Sequence, residues 1–514
     1  MSMQTGDPGF LAPIAPQAAE LGRQLRATLA AHAELRSDSR AVQPGDAFFA
    51  MPGLRVDGRE FIGQAIARGA RAVVFEQGVE VSVPGEIAAH PVAGLRELAG
   101  QIASEFHGRP SEQLDIVAVT GTNGKTSTTQ WIARGLQAMG RKPAVIGTLG
   151  CGPVDALQPH DYTTPDALGT QALLRRFVAQ GVDSVAMEAS SIGLHQGRIT
   201  GTRIRVAAYT NLTRDHLDYH GTMQDYALAK AALFRWPSLQ AMVVNGDDEF
   251  SPRMLSAASA LDPMPTRIVY GFAPSQFGAR GDAVLIAESL RESGEGSSFV
   301  LGGDFGRAEV TLRLLGSFNV SNALAVAGCW LGLGIGFDQV VESLEALRPV
   351  EGRMQFVECP GAPLAVIDYA HTPDALASVL GALRPVAQAR GGALWCVFGA
   401  GGDRDAGKRP MMGMVAEHHA DRLVITSDNP RGESAFRIVS DLRAGLTREP
   451  ELTELDRRVA ITAALRRAAA ADVVLIAGKG HERYQEIAGV RHPFSDLAVA
   501  REGLAARTPE SVDV

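Results

Sequence analysis

The chain has few cysteines, no long basic run and no long unbroken apolar stretch, and each lack removes a class of protein. Its four cysteines, Cys151, Cys329, Cys359 and Cys396, are widely separated. Without a C-x-x-C pair they offer neither a zinc ligand set nor a disulfide framework, and a reducing cytoplasm is the expected compartment. Formal net charge is −8, which with no cluster of Lys and Arg argues against nucleic acid or an acidic membrane surface as partner. The longest apolar run, Ala323 to Phe337, is broken by glycine and falls short of the ~20 residues of a spanning helix, so no membrane insertion is expected. The N-terminus, M-S-M-Q-T-G-D-P-G-F, has no charged segment leading into an apolar core and does not read as an export signal. No short-period repeat or low-complexity tract is present.

What remains is the composition of a large globular α/β protein. The chain has 514 residues, 46% hydrophobic and 21% charged, enough for two or three domains with sizeable cores. Six apolar runs read as buried parallel strands, each followed by polar, glycine-rich or charged residues. They are Ile116 to Val119, Ser184 to Met187, Val206 to Tyr209, Leu394 to Phe398, Leu423 to Thr426 and Val473 to Ala477. Helices are expected between them, for example over Thr126 to Met139 and Pro410 to His419. Ligands of open parallel sheets sit beyond the carboxyl ends of strands, so the turns after these runs are where a site is expected. Boundaries are expected near Gly94 and Val350, giving an N-terminal unit 1–94, a central unit 95–350 and a C-terminal unit 351–514. The turn-rich stretch from Pro263 to Gly306 reads as β-structure decorating the central unit.

The most informative segment runs from Ile116 to Ser127, I-V-A-V-T-G-T-N-G-K-T-S. A glycine-rich turn and one lysine lie between an apolar strand and a helix, the arrangement of a nucleotide-phosphate cradle. Backbone N–H groups over Gly121, Thr122, Asn123 and Gly124 can face phosphate oxygens, Lys125 can reach the β- and γ-phosphates, and Thr126, followed by Ser127, can ligate Mg2+. Only two residues separate the glycines, which points away from ordinary GTPases and motor ATPases.

Further along come E-A-S-S with H-Q-G-R, T-N-L-T-R-D-H-L-D-Y-H-G, D-Y-A-L-A-K, G-S-F-N-V-S-N-A, D-Y-A-H-T-P-D-A, D-N-P-R and G-K-G-H-E. In this order, over Ser37 to Asp496, the set resembles the Mur ligases, the ATP-dependent amide ligases of peptidoglycan precursor synthesis, and within them the diaminopimelate-adding members. The resemblance implies a central P-loop parallel-sheet domain that holds ATP, an N-terminal α/β domain for the UDP end of a sugar nucleotide and a Rossmann-like C-terminal domain that admits an amino acid. Its implied reaction moves the γ-phosphate of ATP onto the D-glutamate carboxylate of UDP-N-acetylmuramoyl-L-alanyl-D-glutamate; the amine of meso-diaminopimelate then displaces phosphate. Such chemistry rests largely on positioning and on cations.

Residue by residue, the resemblance implies Lys125, Glu188, His216 and Lys230 as the catalytic set. Thr126 and Glu188 would hold one Mg2+, and His216 with Lys230 a second. An ammonium cannot ligate a metal, so the family's matching lysine is carbamylated by CO2 into an oxygen donor of the kind Mg2+ prefers. Lys230 lies on a helix with mostly apolar neighbours, and burial there would favour the neutral amine that CO2 needs. Asn319 and Asn322 match positions near adenine, although both also suit helix capping. Arg353 and Asp368 match contacts to the γ-phosphate and ribose.

At the sugar-nucleotide end the matches are Ser37, Ser39 and the Leu54, Arg55, Val56 loop, where the commoner family sequence has His-Gln in place of Leu54 and Arg55. The dipeptide arm falls to Thr163, Thr164, Ser190, Gln196 and Arg198, each also a plausible turn or cap residue by itself. The amino-acid end falls to Arg404, to Asp428, Asn429, Pro430 and Arg431, and to Gly478 with Glu482. Guanidinium forks at Arg404 and Arg431 suit a distal carboxylate that lysine lacks. Lysine-adding relatives do not have arginine at the position of Arg431. Three alternatives stay open on the sequence: a lysine-adding ligase, a folylpolyglutamate synthase-like ligase sharing the G-T-N-G-K loop, and a nucleotide-binding scaffold without catalysis. A monomer is expected.

Overall fold

A computed structural model describes residues 15–53, 56–272 and 282–507. Three sheets follow one another along the chain. The first has four parallel strands in sequence order, β1 (Leu35–Arg36), β2 (Ala47–Ala50), β3 (Ala72–Glu76) and β4 (Ala88–Val92). Helices Pro16–Thr28 and Leu95–Phe106 bury Leu21, Leu25, Leu95 and Ile102 in one cluster with Phe49 and Val74 of this sheet. Leu168, from helix Ala167–Ala179, joins the same cluster and ties the first sheet to the second.

The second sheet has ten strands: β5 (Asp115–Thr120), β6 (Pro143–Gly147), β7 (Gly150–Pro153), β8 (Ser184–Glu188), β9 (Val206–Tyr209), β10 (Ala241–Asn245), β11 (Thr266–Gly271), β12 (Ala283–Ser293), β13 (Gly296–Gly303) and β14 (Ala308–Leu312). Their order is β14-β13-β12-β11-β10-β9-β5-β8-β6-β7. From β12 across to β6 all neighbours are parallel, while β7, β13 and β14 pair antiparallel at the two edges. The turn-rich stretch thus contains the β12–β13 hairpin; residues 273–281 of it lie outside the described residues.

Strand β5 is apolar on both faces because both are covered. Val117 and Val119 face helices Lys125–Ala138 and Ser317–Gly332, together with Ile132, Leu324 and Trp330. Ile116 and Ala118 face Phe177, Leu194, Tyr226 and Phe234. This period of two sets the exit of β5 in the middle of the sheet, between β8 and β9.

The third sheet contains β15 (Gln355–Val357), β16 (Leu364–Asp368), β17 (Leu394–Phe398), β18 (Arg422–Ile425), β19 (Leu452–Thr453) and β20 (Val473–Ala477), in the order β15-β16-β20-β17-β18-β19. All its pairs are parallel except β15 with β16. Helix Pro373–Arg390 follows β16: Thr372 accepts from Ala375 N, proline opens the first turn, and Gly391 ends the helix at φ 72°. A hairpin, β21 (Tyr484–Ile487) with β22 (Val490–Pro493), closes beside Arg431.

All six apolar runs read from the sequence are interior strands. The helices after the phosphate loop and after G-G-D-R-D begin earlier than expected, at Lys125 and Lys408. Among the described residues no helix is long and apolar enough to cross a membrane.

Candidate functional site

At the end of β5 the backbone turns sharply. Gly124 has φ 87°, and a Cβ on Gly121 or Gly124 would collide with Thr210 Oγ1 or Asn322 Oδ1 respectively. The loop is braced from the next strand exit: Thr122 N donates to Asn211 O at 2.8 Å, Asn123 N to Asn211 Oδ1 at 2.9 Å, and Thr210 Oγ1 to Asn123 O at 2.6 Å. Lys125 folds over its own loop, with Nζ donating to Gly121 O and Thr122 O at 2.9 Å each. The loop lines a cavity of about 450 Å³ shared by the second and third sheets.

Glu188, at the end of β8, is 1% exposed. It accepts from Thr126 Oγ1 at 3.0 Å, from Thr148 N at 2.8 Å and from Thr148 Oγ1 at 3.1 Å. Among the described residues no ion pair reaches this carboxylate, although a buried charge without a counter-ion is costly. A buried carboxylate beside a hydroxyl at a helix start has the hard oxygen chemistry that fits Mg2+, with the Lys125 charge near enough to interact with it. Among the described residues no three His, Cys, Asp or Glu side chains converge as a metal cluster, so any such site draws on Thr126 and on lysine as well. Arg353, after the turn into the third unit, crosses to donate from Nη2 to Thr126 Oγ1 at 3.2 Å.

Lys230 lies behind the loop on helix Met223–Ala231, 1% exposed, with Nζ donating to Gly121 O at 2.7 Å and 4.4 Å from the centre of the Tyr226 ring. Burial holds its pKa well below the usual lysine value, and the Lys125 charge adds to this. The His216 ring meets the Tyr226 ring edge-on, 6.1 Å between ring centres. Its backbone is left-handed, φ 54°. Desolvation brings its imidazole down to about 3, against the opposing pull of the Asp215 carboxylate 3.5 Å away.

Asp215 is the centre of a group the motifs did not single out. Its carboxylate meets Lys408 Nζ at 3.2 Å and His371 Nε2 at 3.6 Å, both from the third unit. Beside it, Arg214 donates to Asp405 at 2.9 and 3.2 Å.

Asp368, at the end of β16, accepts from Met354 N at 2.7 Å and Ala370 N at 2.8 Å; burial raises its pKa, with Arg353 opposing. Tyr369 follows it, and the Arg353 guanidinium stacks on its ring at 4.2 Å. Asn319 and Asn322 both line the cavity. Asn319 also donates to Leu315 O at 2.8 Å, and its helix, with Gly316 at the N-cap, has no side-chain cap.

The residues matched to the dipeptide arm form one network beside Glu188. Thr164 Oγ1 donates to Glu188 O at 2.8 Å and meets Ser190 Oγ at 3.0 Å. Arg198 donates to Thr164 O at 2.9 Å and to Gln196 Oε1 at 2.7 and 3.0 Å. Thr163 and Thr148 share a bond of 3.1 Å. Ser190 also caps helix Ser191–His195 through Gly193 N. At the N-terminal end Ser37 donates to Asp166, Ser39 donates to Gln64 at 2.6 Å, and Val56 is exposed. Leu54 and Arg55 lie outside the described residues.

The last cluster sits beyond the carboxyl ends of β18 and β20. Asn429 donates to Glu482 Oε2 at 2.8 Å, and Lys479 bridges Asn429 Oδ1 at 2.9 Å and Glu482 Oε2 at 2.8 Å. Asp428 packs so tightly against Gly478 that a Cβ there would collide with it, and Pro430 turns the chain into Arg431. Arg431, at φ 53°, donates to Gly402 O at 2.8 Å. A Cβ on Gly401 would lie 2.9 Å from Arg431 Nη1 and 3.8 Å from Arg404 Cγ, so the two arginines flank one glycine. Arg404 also lines the cavity and so joins this cluster to the phosphate loop. The linker passes close by: Gly352, φ 68°, abuts the Gly480–His481 peptide, and a Cβ on it would collide with His481 N. Lys479, Asp215, His371 and Tyr369 escaped the sequence reading although each lies within a motif it quoted, and Lys408 lies outside all of those motifs.

The family models agree with this geometry along the chain. Residues 33–107 match the Mur ligase family catalytic domain, 119–330 the Mur ligase middle domain and 352–480 the Mur ligase glutamate ligase domain. The chain belongs to the Mur ligase family.

Within it, the chain is 47% identical over 513 residues to the UDP-N-acetylmuramoyl-L-alanyl-D-glutamate–2,6-diaminopimelate ligase of Ralstonia nicotianae, covering 96% of this chain and 98% of that protein. It is 46% identical over 475 residues to the ligase of the same name from Pseudomonas aeruginosa, covering 92% and 95%. A solved structure of a protein of that name superposes with a TM-score of 0.65 at 38% identity, covering 92% of this chain and 94% of the other. A MurF structure from Acinetobacter baumannii has the same fold, with a TM-score of 0.64 at 19% identity over 91% and 96%.

Proposed function

We propose that this chain is an ATP-dependent, ADP-forming ligase that joins meso-2,6-diaminopimelate to the D-glutamate of UDP-N-acetylmuramoyl-L-alanyl-D-glutamate in peptidoglycan precursor synthesis. The observation that carries the reading is one cavity in which the Lys125 loop, the Thr126–Glu188 pair and Arg353 meet, with Arg404 leading from it to Arg431.

In the forward direction a substrate carboxylate oxygen attacks the γ-phosphorus and the bond to the β-phosphate oxygen breaks, releasing ADP. The amine then attacks the acyl carbon, phosphate departs, and one amine proton is lost to solvent or base. Lys125 leaves the carbonyls of Gly121 and Thr122 to reach the β- and γ-phosphates. Arg353, already at the phosphate-loop helix, meets the charge that develops on the transferred group. Asp368 is set beside the cavity as a ribose acceptor, with Asn319 and Asn322 on the adenine side.

Mg2+, when bound, neutralises the charge that keeps a triphosphate and a carboxylate apart; Thr126 and Glu188 would hold one ion, and His216 with carbamylated Lys230 a second. Thr163, Thr164, Ser190, Gln196 and Arg198 line up for the dipeptide arm, and Ser37, Ser39 and the 54–56 loop for the uridine end. Arg404 and Arg431 offer forks to the distal carboxylate, with Asn429 and Glu482 beside them for an ammonium. The proposed setting is the cytoplasm, in keeping with four free cysteines, and the proposed state is a monomer.

The test is ADP release measured with each substrate omitted in turn and with L-lysine in place of diaminopimelate. Release only when the UDP-dipeptide and diaminopimelate are both present is expected. Equal turnover of lysine would move the chain to the lysine-adding group, and release without any amino acid would remove the ligase reading.

A further inference from the structure

We propose that Lys408 is a positioning residue: by pairing with Asp215 across the gap between the second and third sheets, it ties docking of the C-terminal unit to the setting of His216 in the cavity. This rests on the ligase reading for one of its two readouts.

Lys408 and Asp215 are 193 positions apart, 3.2 Å between Nζ and Oδ1, and only 5% and 6% exposed. Removing two charges from water costs more than their attraction returns unless the geometry is well supported, so such a pair is a poor general adhesive and a good selector of one docked arrangement. Local structure does not account for a lysine here. Lys408 is the first residue of helix Lys408–His419, the positive end of the helix dipole, where a cation is unfavourable. Its neighbour Arg409 serves its own unit, bonding Glu433, Asp441 and Gly401 O. Lys408 instead faces the other unit.

The surrounding charges alternate in sign. Arg214 meets Asp405, Asp215 meets Lys408, and Asp218 lies 3.9 Å from Arg404. A slip of one unit against the other would set like charges together, so the row specifies register as well as contact. The same Asp215 carboxylate has its second oxygen 3.5 Å from His216 Nε2 and 3.6 Å from His371 Nε2. His216 has the left-handed backbone of a residue held by its surroundings, and it follows Asp215 directly. When Lys408 withdraws, the buried Asp215 carboxylate keeps only the two imidazoles, at 3.5 and 3.6 Å; water replaces the lost ammonium most readily where the units part, and the His216 imidazole then loses its neighbour's fixed position.

The experiment uses the full chain with Lys408→Met and Lys408→Arg, far-UV circular dichroism confirming that each is folded, and Lys408→Gln replacing the methionine variant should that one not fold. Small-angle X-ray scattering without nucleotide is expected to give a larger radius of gyration for Lys408→Met than for wild type. In the ligase assay the Mg2+ concentration for half-maximal rate is expected to rise by about 10- to 100-fold, the scale on which partners of metal-binding side chains act. Lys408→Arg, which keeps the charge, is expected to restore both. An unchanged radius of gyration, or an unchanged Mg2+ requirement in an active Lys408→Met chain, overturns the proposal. An arginine variant that behaves like the methionine one overturns the charge-pairing argument with it. A wild-type chain without ligase activity would sink the ligase reading, and scattering alone would then decide whether Lys408 holds the units together.

Discussion

Lys125 and Lys230 donate to the same acceptor: the carbonyl oxygen of Gly121 receives both amino groups, at 2.9 and 2.7 Å. One carbonyl cannot compensate two ammonium charges in a desolvated wall, and the pKa of each lysine is lowered by burial first. Lys230 has the harsher setting, since the Lys125 charge depresses it further. Lys125 can escape to a phosphate. Lys230 can shed the conflict by losing its proton, and the neutral amine that results is the nucleophile that attacks the carbon of CO2, losing a second proton as the carbamate forms.

Lys230→Arg keeps a cation at this position and cannot form a stable carbamate. The variant is expected to bind ATP nearly as wild type and to lose about 10- to 100-fold or more in rate. Isotopically labelled bicarbonate should give a carbamate resonance in the wild-type chain and none in the variant. A variant with full rate would remove carbamylation from the account.

On the proposed reading Arg431, which donates to Gly402 O and lies 3.8 Å from Glu486, offers the rest of its guanidinium fork to a second carboxylate on the amino acid. Leaving that fork unpaired costs on the order of 1–3 kcal/mol, so wild type should reject lysine by about tenfold or more. Arg431→Ala is expected to erode most of that preference while nucleotide affinity holds, measured as phosphate release with the two amino acids in parallel. Undiminished preference would exclude Arg431 from amino-acid selection.

Arg353 reaches the phosphate-loop helix from the far side of the linker, and its stacking on Tyr369 fixes the approach. On the proposed reading, in which the guanidinium acts on charge that develops during transfer, replacement by alanine should lower turnover by about 100-fold or more and change ATP affinity far less. Equal losses in binding and turnover would make it a ground-state contact instead.

The interior strands were legible from sequence for a physical reason: a parallel strand covered on both faces is apolar through its middle, as β5, β8, β9, β17, β18 and β20 are, with polar residues such as Asp115, Ser184, Glu188 and Arg422 kept to the strand ends. The first sheet offered no such signal, since β1 has two residues and β4 is largely exposed and contains Pro91. Contiguous motifs delivered the phosphate loop, Glu188 and Arg353 to one cavity. Asp215 with Lys408 was illegible because nothing local marks a pairing made between separate sheets. Ser190 was ambiguous and remains double in the structure, capping helix Ser191–His195 while lining the cavity. One hydroxyl has the chemistry for both tasks, so sequence cannot choose between them.

His107 ends helix Leu95–Phe106 with a side chain 1% exposed and, among the described residues, no hydrogen-bond partner on either ring nitrogen. Burial, then Arg175 and Arg26, bring its pKa down to about 4 from 6.5, despite Glu34 at 3.9 Å. Between those values the unfolded chain binds a proton that the folded chain refuses. Stability is therefore complete above about pH 6.5 and is lost as pH falls through 4, by up to about 3 kcal/mol from this residue. His107→Phe should flatten that acid loss in urea midpoints taken across the range; an unchanged acid limb would show that other groups dominate it.

The linker at Gly352 is wedged against the Gly480–His481 peptide, so a single backbone contact lies between the arginine that meets the phosphate loop and the turn bearing Lys479 and Glu482. A small molecule lodged in that seam, or a side chain introduced at position 352, would disarm the phosphate side and the amino-acid side together.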